Sequence, residues 1–121
     1  YQQVKERDVA WHAGNREINA RAVGIEQEGF AYRPGWFTPA MYGASAKLVR
    51  DICLRYNIPR DRTHIIGHHE VPSLKEPGKF GGAGGHTDPG PYFDWDLLMR
   101  LVRNDSRLPD GAKTQAELTL H

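Results

Sequence analysis

Cysteine is nearly absent from this chain: of 121 residues, only Cys53 carries a thiol. That excludes an internal disulfide framework and a cysteine-rich zinc cluster. Cys53 falls inside a helical pattern, where the expected role is that of a small buried apolar group. Long hydrophobic runs are missing as well. No stretch approaches the roughly 20 apolar residues that a membrane-spanning helix needs, and the first residues show no basic-then-apolar signal segment. The chain opens at Tyr1-Gln2-Gln3 without an initial methionine, so export stays open. Charge of one sign is equally lacking. Sixteen Lys and Arg face 15 Asp and Glu, which gives no electrostatic pull toward nucleic acid or an anionic membrane.

What is present describes a folded domain. Apolar residues make up 39% and charged residues 26% of the chain, and its length suits one domain around one hydrophobic core. The opening "YQQVKERDVAWHAG" is read as a short strand running to a turn at Gly14-Asn15. In "ARAVGIEQEGF", Val23 and Ile25 alternate with Gly24, Glu26 and Glu28, the period-two pattern of a strand. Thr38 and Pro39 then start a helix. Ala44, Leu48, Ile52 and Tyr56 form its apolar stripe, Met41, Val49 and Cys53 widen it, and Asn57 and Pro59 stop it. "THIIG" (63–67) is a short buried strand leading into His68. Residues 72–91 are rich in proline and glycine and read as loop. A second helix starts near Asp94 and sets Trp95, Leu98, Met99 and Val102 on one face. From Asn104 the sequence turns polar. The expected organisation is a domain over 1–103 followed by a polar tail or linker over 104–121. Its fold class is α/β, a mixed β-sheet flanked by α-helices.

The residues able to do chemistry lie mostly in "GHHEVPSLKEPGKFGGAGGHTDPGPYFDW". His68 sits at a strand end, which holds an imidazole rigidly enough to ligate zinc. His69 alternates to the other side, so the two neighbours do not share an ion. Asp88 precedes Pro89, which restrains the backbone carrying the carboxylate. His86, two residues earlier, projects to the same side and suits an oxyanion, or else it is a solvated loop histidine. Glu26, on the polar face of its strand, suits a general base or else an exposed surface group. Trp11 and His12 in "WHAG" offer a flat surface and a donor to a sugar or peptide ligand, or else they pack and cap a turn. Phe30, Tyr32, Trp36 and Phe37 are read as covering the core, or else as stacking on a carbohydrate. His64 is read as structural, and the terminal His121 is given no role.

Taken in order, "AWHAG", "VGIEQEG", a helix, "IIGHHEVP" and "HTDPGPYFDW" resemble the zinc-dependent N-acetylmuramoyl-L-alanine amidases. This type-2 amidase family includes phage lytic amidases and peptidoglycan recognition proteins. The resemblance spans residues 8–103. It implies zinc held by His68 and Asp88, Glu26 as general base, His86 facing the tetrahedral intermediate, and Trp11 and His12 as substrate contacts. It further implies hydrolysis of the amide between N-acetylmuramic acid and L-alanine, with peptidoglycan or a muropeptide as partner and a secreted, cell-wall-associated or phage-lytic setting. A non-catalytic peptidoglycan-binding module is the alternative, less consistent with the retention of His68, Asp88 and Glu26.

The family's zinc has three protein ligands, the first on an early strand upstream of "WHAG". That strand is expected to be missing from this chain. Three readings follow: an N-terminally incomplete domain, a partner chain that supplies the segment, or a defective site. The first is favoured.

Overall fold

The computed structural model describes residues 2–29, 32–104 and 117–121. Its elements run α1 (Arg16–Arg21), β1 (Ala22–Ile25), α2 (Pro39–Tyr56), β2 (Ile65–Gly67), a 3-10 turn (His68–Glu70), α3 (Trp95–Arg103) and β3 (Glu117–Leu120). The three strands form one sheet in the order β1-β3-β2. The last strand in sequence is therefore the central one. Ile25 lies opposite Leu120 on one side, and Gly67 lies opposite Leu120 on the other. The α/β expectation holds. Where a mixed sheet was expected, however, both ladders of the described residues are parallel.

The α2 boundaries follow from its end residues. Thr38 Oγ1 accepts from Met41 N at 3.3 Å, and Pro39 opens the first turn, where its missing N–H costs nothing. Asn57 closes the helix in the left-handed conformation at φ 54°. The buried face is Tyr42, Ala46, Val49, Ile52 and Cys53. That face is rotated from the expected stripe: Ala44 is exposed and Leu48 is 43% exposed. Tyr42 accounts for the shift, since its ring joins Phe37 and Phe93 in an edge-on cluster and its hydroxyl accepts from Asp94 N at 2.8 Å. Asp94 in turn caps α3 by accepting from Leu97 N at 2.9 Å. Arginines satisfy the terminal carbonyls of α3, with Arg50 donating to Leu101 O and Arg60 to Val102 O.

Two apolar clusters sandwich the sheet. On one face Ile25, Ile65 and Leu120 meet α2 and α3 through Val49, Ile52, Leu98, Met99 and Val102. On the other, Ala13, Ile18 and Val71 pack with Ala22 and Ile66. The alternation of Ile65 and Ile66 between the clusters is the period-two pleat at work. Full burial of a side chain such as Leu98 contributes about 1.5–3 kcal/mol. Cys53 lies within the first cluster, and burial pushes its thiol up to about 12, so it is a packing residue.

Several expectations are corrected. Residues 2–10 contain turns but no strand, whereas the short "REINAR" segment forms α1, capped by the Asn15 side chain. β1 ends at Ile25, so Glu26 lies just beyond the strand rather than within it. The polar tail expected from Asn104 is corrected at its end. Residues 105–116 lie outside the described residues, and 117–120 form the central strand. Phe30 also lies outside the described residues.

Candidate metal centre

Two adjacent parallel strands end side by side, and each delivers a histidine at its exit. His68 follows β2 directly, and His121 follows β3. The ladder to β1 continues past the last strand residue, with His121 N donating to Ile25 O at 2.9 Å and Gln27 N donating to His121 O at 3.3 Å. His121 is thus held by backbone on one side. Asp88 arrives from the loop before α3, where its carbonyl accepts from His69 N at 3.1 Å.

These three side chains converge. His68 Nδ1 lies 3.2 Å from Asp88 Oδ2 and 3.1 Å from His121 Nδ1, and His121 Nδ1 lies 3.6 Å from Asp88 Oδ2. Among the described residues they form a group of three metal-ligating side chains. His68 is only 5% exposed. Its Nε2 is 2.9 Å from the Ala13 carbonyl, which can only accept, so Nε2 carries a proton and donates there, leaving Nδ1 facing the cluster. Burial pushes the His121 imidazole down to about 4, and the neighbouring His68 and His12 rings act in the same sense, so near pH 7 it is neutral.

The spacing suits a metal cation. Atoms each about 2.0–2.2 Å from a tetrahedral metal ion lie about 3.3–3.6 Å from one another. The three observed separations fall around that value. Two nitrogens and one carboxylate oxygen also leave a fourth position open, as a catalytic centre requires.

The other sequence-predicted residues surround this cluster. The His86 ring stacks on His68 with centroids 4.3 Å apart and 12° between planes, and its Nδ1 is 3.9 Å from Asp88 Oδ1. Glu26 is exposed, and the β1–β3 register continued by one step sets it beside His121. Since Ile25 points into the α2–α3 core, Glu26 alternates to the opposite face, which also carries the His12 ring. Trp11 is 95% exposed. His12 instead turns inward, with Nδ1 2.9 Å from His121 Nε2. His69 stays out of the cluster, near Trp95 and the Glu70 carboxylate. His64 Nδ1 meets Asp61 at 2.7 Å, in the turn before β2.

His121 was given no role in the sequence reading, and the structure brings it to the cluster as a candidate third side chain. A signal was present: "LTLH" repeats the arrangement of "IIGH", a histidine leaving a short β-prone run.

The family model described as N-acetylmuramoyl-L-alanine amidase matches residues 1–91. The chain is 32% identical over 117 residues to N-acetylmuramoyl-L-alanine amidase A of Achromobacter lyticus, covering 89% of this chain and 64% of that protein. It is 34% identical over 109 residues to 1,6-anhydro-N-acetylmuramyl-L-alanine amidase AmpD of Haemophilus influenzae, covering 84% of this chain and 52% of that protein. With amidase AmiD of Escherichia coli it shares 30% over 118 residues, covering 83% of this chain and 37% of that protein. The chain therefore spans less than two thirds of each of these relatives. No solved structure matches it. On the family match and these identities together, the chain belongs to the N-acetylmuramoyl-L-alanine amidase family.

Proposed function

We propose that this chain carries the catalytic centre of a zinc amidase that cleaves the bond between N-acetylmuramic acid and L-alanine in peptidoglycan or its fragments. The observation that carries the reading is the triangle of His68 Nδ1, Asp88 Oδ2 and His121 Nδ1, with sides of 3.1–3.6 Å. Its donor set and spacing favour zinc, with those three residues as the ligands. Zinc, when bound there, supplies Lewis acidity: it polarises a carbonyl and acidifies water toward a pKa of about 7.

The remaining work belongs to the side chains around it. Glu26, on the face of the sheet that carries His121, accepts the proton of the attacking water and passes it to the departing amine of L-alanine. His86, stacked on His68 at the rim of the cluster, turns a ring N–H toward the oxygen on which negative charge develops. Exposed Trp11 offers a flat face to the sugar or stem peptide. Among the described residues, no helix is long and apolar enough to cross a membrane.

The test is joint measurement of bound zinc and of stem peptide released with a free L-alanine terminus. Stoichiometric zinc with peptide release supports the proposal. Muropeptide binding with neither result replaces it with a non-catalytic binding module.

A further inference from the structure

The turn from Trp11 to Gly14 lies beside the candidate metal cluster, and two of its groups reach it. The Ala13 carbonyl accepts from His68 Nε2 at 2.9 Å. His12 Nδ1 lies 2.9 Å from His121 Nε2, with the two rings edge to face at 85°. Behind them, buried Asn19 accepts from both His12 N at 3.1 Å and Ala13 N at 2.8 Å through its single Oδ1. Gly24 of β1 leaves room for this. A Cβ there would fall 2.6 Å from His12 Cγ, so any other residue would displace the ring.

The direction of the His12–His121 bond follows from the proposed zinc site. If His121 Nδ1 offers its lone pair to the metal, the ring proton of the neutral imidazole sits on Nε2, and His12 Nδ1, 2.9 Å away, is the atom that accepts it. The opposite arrangement would put a proton on His121 Nδ1, between it and His68 Nδ1 at 3.1 Å, and would block a cation there. Metal-ligating histidines generally donate their second ring N–H to a fixed acceptor, which sets tautomer and orientation.

We infer that His12 is a positioning residue for the metal centre: it accepts the Nε2–H of His121 and so aims His121 Nδ1 at the point shared by His68 and Asp88. Asn19 holds the same turn in place, so one side chain behind the site orients both imidazoles. This role differs from contact with the substrate, and it rests on the proposed zinc site.

Zinc titration of the chain tests it, with His12→Phe removing the acceptor while keeping a flat ring, and His12→Asn restoring an acceptor. The expected result is a loss of about 10–100-fold in zinc affinity for His12→Phe, with part of that loss recovered in His12→Asn. Native affinity in His12→Phe, or equal losses in both variants, overturns the inference. Should His12→Phe fail to fold, nitrogen-15 NMR of the native imidazoles decides instead. Protons on Nε2 of both His12 and His121 support the inference, and a proton on His121 Nδ1 overturns it. Asp88→Ala separates the two levels of the argument. If the native chain binds no zinc, or Asp88→Ala binds it as tightly as the native chain, the zinc site itself fails and the positioning role with it.

Discussion

His121 Nδ1 and His68 Nδ1 face each other at 3.1 Å although 53 residues separate them in sequence. The sheet explains the meeting. β3 lies between β1 and β2, and parallel strands end at the same edge, so residues leaving β2 and β3 emerge together. An arrangement of ligands at the carboxyl ends of parallel strands is where α/β folds generally place binding sites.

If Glu26 is the general base, Glu26→Gln keeps the zinc and loses the proton acceptor. Turnover is expected to fall about 100- to 10,000-fold while zinc content stays at the native level. Metal analysis and peptide release measured on the same sample check both halves. Near-native turnover would remove Glu26 from the reaction.

The central placement of β3 makes a stability prediction independent of chemistry. Leu120 is fully buried between the sheet and the two long helices. Leu120→Ala is expected to cost about 2–5 kcal/mol, read as a lower urea midpoint. A change within about 0.5 kcal/mol, typical of surface positions, would mean that the final strand does not belong to the core.

How much of this was legible in the sequence depended on whether the signal was local. α2 announces itself through Thr38, Pro39 and Asn57, because caps act within a turn of the helix end. His68 and Asp88 carried recognisable neighbours, "GHHEVP" and "TDPGP". β3 carried none. Its four residues follow a polar stretch, and it is a strand only because partners distant in sequence hydrogen-bond to both of its edges. His121 was missed for that reason alone, since its chemistry depends on where β3 docks. The α2 face was misread because Tyr42, amphipathic in isolation, is buried by an aromatic cluster and a hydrogen bond to Asp94 N that no helical period reveals.

The N-terminal segment is tied to α2 by Glu6, whose carboxylate pairs with Arg55 and accepts from the Tyr56 hydroxyl at 2.7 Å. The hydrogen bond from Arg55, aided by Tyr56, holds the Glu6 carboxyl below its ordinary value. A depressed acid stabilises the fold at pH values above its unfolded pKa, and that contribution is lost as pH falls through the lower folded value. The pair is substantially exposed, so Glu6→Gln is expected to cost only about 0.2–1 kcal/mol at pH 7. The difference from native should shrink as pH falls below the ordinary carboxyl value and through the lower folded one. Urea unfolding of both proteins at pH 7 and pH 3 measures it, and a gap that widens toward low pH would contradict the assignment.

The most direct measurement is equilibrium zinc binding to the native chain and to His121→Ala, with apo-state circular dichroism as the folding control. One zinc per chain is expected for the native protein. For His121→Ala, affinity should fall by more than the roughly 10–100-fold typical of changes behind the ligands. Equal zinc binding by the two proteins would contradict a three-ligand centre built from His68, Asp88 and the last residue of the chain.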